Sequence, residues 1–303
     1  MKDEALISVE DLAFTYPRAI SPSLNGVSFS LRSGEVYGFL GPSGAGKSTT
    51  QKVLYGLLQD YSGSARIFGR EVRDCGSQIY SLMGIAFETP NLYLKLTGRE
   101  NLAFAMSLRA SKRRDRGGGV IHTATAQQID TALGRLGLLD AADQRVETYS
   151  KGMRMRLSFI RAVVHEPPLL FLDEPTSGLD PLWARVVKDW IVELRTRGTA
   201  VFLTTHSMEL ADEVCQRVGF LVDGSVAAQD APIAFKQRYG HPAITVHGID
   251  TNGEATQLTV GYQELLERPL RGLQHVTRVV NREVTLEQVF LQVTGRTLNG
   301  APA

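Results

Sequence analysis

The chain has 303 residues, 43% apolar and 21% charged, which places it among ordinary globular proteins of about two domains. Its 33 basic and 32 acidic residues leave a formal charge of +1, so the balance does not call for a polyanion such as nucleic acid as partner. Two cysteines, Cys75 and Cys215, are too few for a disulfide framework, lack metal-ligand spacing and fit a reducing cytosol.

The opening MKDEALISVE has no apolar signal-peptide core, and no uncharged apolar run has the length of a membrane span; any membrane role is expected to be peripheral. In LAFTYP, Tyr16 ends an alternating strand, where its ring serves equally as a strand aromatic or as a stacking face for a base. From about residue 36 to about 222, short apolar runs alternate with helix-period segments, the pattern of a largely parallel sheet flanked by helices. Four runs end in polar residues: VYGFL in GPSGAGKST, MGIAF in Glu88, LLFL in Asp173 and Glu174, and AVFL in TTH. Ligands of open α/β sheets sit outside the carboxyl ends of the strands, so these polar ends are expected to form one site.

GPSGAGKST fits the P-loop pattern, with Gly41, Gly46, Lys47 and Ser48 at its defining positions between an apolar strand and the helical TTQKVLYGLL. Its glycines let backbone N–H groups turn onto phosphate oxygens at the positive end of the helix. Lys47 is expected to neutralise the terminal phosphates, and the Ser48 hydroxyl to ligate Mg²⁺. Between about 97 and 147, GRENLAFAMSLRA and QQIDTALGRLGLL have helical spacing with no strand between them, which indicates a helical subdomain. The intervening SKRRDRGGGVIHTATA clusters Lys112, Arg113, Arg114 and Arg116 before three glycines and reads as a solvated loop, with a lipid-headgroup contact as the alternative.

In TYSKGMRMRLSFI, Ser150 and Gly152 open an amphipathic helix, the arrangement of a cap or of an anion site. The doubly buried strand LLFL ends in adjacent carboxylates; below a P-loop, Asp173 is suited to hold Mg²⁺ and Glu174 to orient or deprotonate water. His206 closes AVFLTTH on the same edge, where a hydrogen-bonded structural histidine competes with a γ-phosphate contact. Beyond about 230, Pro232 starts a helix that stops at Gly240, and AITVHGI and TQLTV read as strands. A capping box from Thr285 to Gln288 opens a last helix with Leu286, Val289, Phe290 and Val293 on one face.

The ordered motifs from about residue 6 to about 230 resemble the ATP-binding-cassette ATPases, the motor subunits of ABC transporters. The resemblance implies an α/β P-loop NTPase core with a mostly parallel sheet and an antiparallel β subdomain near the N-terminus. An inserted helical subdomain at about 97–160 completes residues 1–230, and residues 231–303 form a small C-terminal α+β extension. It also implies ATP and Mg²⁺. Tyr16 takes the adenine-stacking position, and Gly41, Pro42, Ser43, Gly44, Ala45, Gly46, Lys47, Ser48 and Thr49 form Walker A. Tyr149 to Met153 form the signature, in which Ser150, Lys151, Gly152 and Met153 serve the nucleotide on a partner cassette. Asp173 and Glu174 are Walker B, Asp180 of SGLD belongs to the D-loop at the dimer seam, and His206 is the switch histidine.

Two departures stand out. YSKGM replaces LSGGQ, although Lys151 keeps its backbone N–H for a phosphate if its φ is negative. Glu88 stands where the family has the glutamine that ligates Mg²⁺ and signals to the transmembrane partner, and its carboxylate adds charge near the phosphates. SKGMRMRL and TLEQVFLQVTGR look like the drug, antibiotic and lipid-linked exporters with a C-terminal extension. The implied partners are separate permease subunits at the cytoplasmic face of the membrane and a second cassette, most simply a second copy. Two other readings are a cassette acting on nucleic acid or ribosomes, which one P-loop and no sustained heptads disfavour, and an ATP-binding regulator without turnover, which Glu174 disfavours.

Overall fold

The computed structural model describes residues 5–111, 124–240, 243–261, 273–282 and 284–296. The basic loop at Lys112, Arg113, Arg114 and Arg116 lies outside the described residues. The centre is a six-stranded sheet made of β3 (Val36–Leu40), β6 (Met83–Ala86), β7 (Leu169–Asp173), β8 (Ala200–Thr205), β9 (Arg217–Val222) and β10 (Ser225–Asp230). Their order is β10-β9-β3-β8-β7-β6, and all neighbours run parallel except the β9–β10 hairpin. VYGFL, LLFLD and AVFLTT are buried along almost their whole length, as strands covered on both faces must be. Because β3, β7 and β8 are parallel neighbours, their carboxyl ends open on the same edge, and each hands its next residues to the site.

A second, antiparallel sheet in the order β2-β1-β4-β5 combines β1 (Ala5–Phe14), β2 (Leu24–Arg32), β4 (Ser62–Ile67) and β5 (Arg70–Glu71). Phe29 of β2 ties it to the central sheet, with ring centroids 5.2 Å from Tyr37, 5.3 Å from Phe39 and 5.3 Å from Phe202. Such close aromatic packing adds to the burial energy and fixes the angle between the layers. Tyr16 therefore arrives at a defined place. It lies two residues beyond the end of β1 rather than ending the strand, because Pro17 follows and the chain turns there with an Ala19 N–H donating to the Tyr16 carbonyl at 3.0 Å.

Helix α1 (Lys47–Leu54) follows the P-loop, and α2 (Gly98–Ser111), α3 (Ala126–Arg135) and α4 (Lys151–Val163) form the expected helical region. α3 opens with a full capping box between Thr125 and Gln128, and α4 packs back on β6. α5 (Pro181–Thr196) and α6 (Met208–Val214) flank the sheet. The C-terminal region holds α7 (Pro232–Tyr239), an antiparallel sheet β12-β11-β13 from β11 (Ala243–Asp250), β12 (Ala255–Gly261) and β13 (Leu273–Arg282), and α8 (Leu286–Thr294). β13 is a strand that the sequence pattern does not announce. Phe235 of α7 stacks on Phe220 of β9 at 4.8 Å, and Phe290 of α8 meets the same ring edge-on at 5.2 Å. Both helices thus share the core of the central sheet, while the three-stranded sheet sits outside that cluster apart from its link through them.

Candidate functional site

Ser43, Gly44, Gly46, Lys47, Ser48, Thr49, Glu88, Asp173, Glu174 and His206 line one cavity of about 300 Å³ at the carboxyl edge of the central sheet, together with Ser23. Gly41 and Gly46 are demanded by close approach. A Cβ on Gly41 would stand 2.2 Å from the Leu221 carbonyl oxygen, and one on Gly46, at φ +109°, 2.7 Å from the Ser23 oxygen. Gly44, at φ +82°, faces open space and is needed for its turn alone. Buried Ala45 closes that turn with its N–H on the Pro42 carbonyl at 3.2 Å. α1 begins at Lys47 without a side-chain cap, so its positive end points into the cradle. Lys47 Nζ donates to the Gly41 and Pro42 carbonyls at 2.6 and 2.9 Å. Burial lowers its pKa, against the opposing pull of Glu174, Asp173 and Glu88.

The carboxylates are held unequally. Burial raises the pKa of Asp173, opposed by a 2.5 Å hydrogen bond from the Thr204 hydroxyl and reinforced by the charges of Glu174 and Glu88. Glu174 is buried, 8% exposed, and sits at φ +48°, a strained conformation for a non-glycine residue. Its Oε1 accepts from the His206 backbone N–H at 2.8 Å and lies 2.7 Å from His206 Nδ1, while Oε2 accepts from the Thr205 hydroxyl at 2.8 Å. These three partners leave about one of a carboxylate's roughly four acceptor positions for a water. The His206 side chain is 65% exposed and reaches from the rim, as does exposed Glu88. Tyr16 is half-buried, edge-on to Phe14 at 4.9 Å, with its hydroxyl 3.4 Å from that of Thr49, so one edge of the ring abuts the cradle.

Ser150, Lys151, Gly152, Met153 and Asp180 do not line this cavity. Ser150 caps α4, accepting from the Met153 N–H at 3.2 Å, and Asp180 caps α5, accepting from the Trp183 N–H at 3.1 Å. Lys151 lies inside the helix and is absent from the positive-φ residues, so its N–H keeps the orientation a glycine would have there. Gly152 sits beside Gly178 of SGLD, close enough that a Cβ on Gly152 would stand 3.6 Å from the Gly178 oxygen. Behind them, the Arg156 guanidinium covers the Trp183 ring at 4.4 Å and locks α4 to α5. The two motifs form one exposed edge.

Sequence reasoning missed Ser23, Gln51, Thr204 and Thr205. Of these, Gln51 stood in the quoted helical run and the two threonines in the quoted strand run, but a lone amide in a helix or hydroxyl in a strand has no spacing that marks it. A second cavity of about 410 Å³ lies between β6 and α2, lined chiefly by Tyr80, Tyr93, Phe104, Leu108, Arg109 and Arg161. Burial, helped by Arg161, pushes the Arg109 pKa down to about 10, and no carboxylate is among the described residues that line the cavity.

The fold and the first cavity define a P-loop nucleotide-binding protein with carboxylates beside the phosphate loop. A sequence profile described as ABC transporter matches residues 24–177. A fluoroquinolones export ATP-binding protein of Mycobacterium tuberculosis is 45% identical over 298 residues, 97% of this chain and 94% of the relative. A Nod factor export ATP-binding protein I of Burkholderia lata is 33% identical over 90% of this chain and 92% of its own length. Among solved structures, an ATP-binding subunit of an ABC transporter superposes with TM-score 0.68 at 29% identity, covering 78% of this chain and 93% of that one. An ATP-binding cassette dimer bound to ADP and Pi has TM-score 0.66 at 24% identity, covers 74% and 98%, and supports the fold. The chain belongs to the ABC transporter family and is an ATP-binding cassette of it.

Proposed function

We propose that two copies of this chain hydrolyse ATP at composite sites and power a separate membrane exporter. The observation that carries this reading is the division of the motifs. The phosphate cradle, Asp173, Glu174 and His206 share one cavity, whereas the signature and Asp180 share an edge that does not line it. Ser150 and Gly152 of one copy then face the terminal phosphate held by the other, with Lys151 and Met153 beside them and Asp180 at the seam. Residues 1–230 are the cassette, and residues 231–303 a regulatory extension anchored through α7 and α8.

In this mechanism Lys47 exchanges the Gly41 and Pro42 carbonyls for phosphate oxygens, and Thr49 stays with the Tyr16 hydroxyl beneath the base. Glu174 takes a proton from water through its remaining acceptor position, and His206 steadies its carboxylate from the rim. Among the described residues no group of three or more His, Cys, Asp or Glu is arranged to hold a metal alone. The donors Ser48, Asp173 and Glu88 instead fit Mg²⁺, which takes its other ligands from phosphates and water. When bound, Mg²⁺ supplies charge neutralisation of the phosphates.

Among the described residues no helix is long and apolar enough to cross a membrane, so the transport path belongs to a partner. The apolar second cavity, with the Arg109 and Arg161 cations and no carboxylate among the described residues that line it, suits a cytoplasmic segment of that partner that presents an acidic residue among apolar ones. The names of the relatives support export, with the compound selected by the membrane subunit. The chain thus works at the cytoplasmic face.

Complementation between two variants tests the division. Lys47→Ala disables the cradle and keeps the signature; Gly152→Asp does the reverse, and a Cβ there makes only ordinary contacts, the nearest 3.6 Å from the Gly178 oxygen. Each alone is expected to lose about 10²-fold or more in ATPase rate. Co-expressed and purified as a mixed pair, they recover activity from the one intact composite site. No recovery in a pair shown to be mixed refutes the division.

A further inference from the structure

Consecutive strand residues point to opposite faces. Thr204 and Thr205 at the end of β8 accordingly serve different carboxylates, Thr204 donating to Asp173 Oδ1 and Thr205 to Glu174 Oε2. Thr205 bonds a carboxylate that lines the cavity, and so does Thr204, but Thr204 is also supported from behind. Its hydroxyl oxygen accepts from Gln51 Nε2 at 2.8 Å, and Gln51, 2% exposed, lies on α1 one turn beyond Lys47. An apolar pair would ordinarily fill such a seam between helix and sheet, since burying an amide and a hydroxyl is costly unless both are hydrogen-bonded. The hydroxyl has one proton, and the 2.5 Å bond to Asp173 outcompetes the 3.4 Å alternative to the Leu172 carbonyl. The direction of the chain is therefore set: Gln51 donates to Thr204, and Thr204 to Asp173. Each bond polarises the next, and both anchors are buried.

We infer that Gln51 and Thr204 are positioning residues that hold the Asp173 carboxylate towards the phosphate cavity and thereby set how tightly the nucleotide's divalent cation is bound. This rests on the reading of Asp173 as a cation-holding group, and extends it to two residues that touch neither nucleotide nor cation. Partners behind a metal-holding side chain commonly change metal affinity by about 10- to 100-fold when removed.

The test measures the affinity of a fluorescent, non-hydrolysable ATP analogue in EDTA and in Mg²⁺; the ratio is the cation-dependent gain. Thr204→Val, which keeps the shape and loses the hydroxyl, is expected to cut that gain by about tenfold, and Gln51→Leu to cut it by less. Thr204→Ser keeps the parent gain, and the affinity in EDTA stays the same in all three. A merely structural role would lower thermal stability and leave the gain unchanged. A parent-like gain in Thr204→Val, or a Thr204→Ser gain as poor as that of Thr204→Val, overturns the inference; should Thr204→Val fail to fold, the same readout on Gln51→Leu decides. Asp173→Asn is the control. A parent-like gain in that variant overturns the reading of Asp173 itself, whereas a reduced gain there with an unchanged Thr204→Val overturns only the support from behind.

Discussion

The phosphate cavity and the signature edge both carry motifs of the family, yet the chain holds them in opposite ways. Within the cavity, three ionisable groups are gripped by residues of their own chain: Lys47 by two carbonyls, Asp173 by Thr204, and Glu174 by Thr205 and His206. Along the edge, Ser150, Lys151 and Asp180 are exposed, and the two caps bind only the first turns of their own helices. What is rigid there lies behind, in the Arg156–Trp183 stack that joins α4 to α5. The cavity is thus preorganised from within the chain, and the edge is an exposed surface braced from behind, as the proposed division requires. Gly137 shows how tightly that backing is built, since a Cβ at its φ of +61° would stand 2.4 Å from the Trp183 ring.

The sharpest way to break this contrast is Glu174→Gln. The amide keeps the volume and removes the base, so turnover is expected to fall by about 10²- to 10⁴-fold, roughly 3 to 5.5 kcal/mol of barrier. ATP binding survives, because the cradle is untouched, and the variant accumulates as a nucleotide-bound dimer in size-exclusion chromatography. Parent-like hydrolysis would take Glu174 out of the reaction and leave its φ of +48° without a role.

Tyr16→Ala probes the same cavity more gently. The ring is placed by Phe14 and by the Thr49 hydroxyl, and its loss should weaken ATP binding by about 1 to 3 kcal/mol, the range for one aromatic partner of a base. The rate at saturating ATP stays near the parent value, and Tyr16→Phe recovers most of the affinity. A fall in the saturated rate with unchanged affinity would place Tyr16 on the dimer side of the division instead.

Some of this was legible in the residues and some was not, for physical reasons. GPSGAGKST and LLFLDEP announce themselves because phosphate binding requires fixed spacings, and the doubly buried strands that carry them are continuous apolar runs. The Thr285–Gln288 capping box predicted the start of α8, and the structure shows both of its hydrogen bonds. Gln51 and Thr204 were invisible, since a single amide in a helix and a single hydroxyl in a strand acquire meaning only across the α1–sheet seam. β13 escaped because its side chains are mostly exposed and its pairing with β11 shifts register between His247 and Gly248, which breaks the alternation that marks a strand. The meeting of Phe235 and Phe290 on Phe220 joins residues too far apart in the chain for any local pattern to register.

The last effect, seen in stability and not in turnover, concerns what stands behind the signature edge. α4 carries the signature at its first turn and ends at Val163; two residues later His165 is buried, 4% exposed, beside Arg109. Burial, with Arg109 adding to it, lowers the imidazole pKa from 6.5 to about 3. A base with a depressed folded pKa binds its proton more readily in the unfolded chain. Stability is therefore unaffected by His165 above pH 6.5 and falls as the pH drops from there towards 3, by up to about 1.4 kcal/mol per pH unit. His165→Leu removes that slope. Its thermal midpoint should decline less than that of the parent between about pH 7 and about pH 5, with carboxylate titration common to both cancelling in the comparison. Coincident slopes would mean that His165 takes up its proton within the folded chain. The seating of α4 on β6, and the signature edge with it, would then be indifferent to acid.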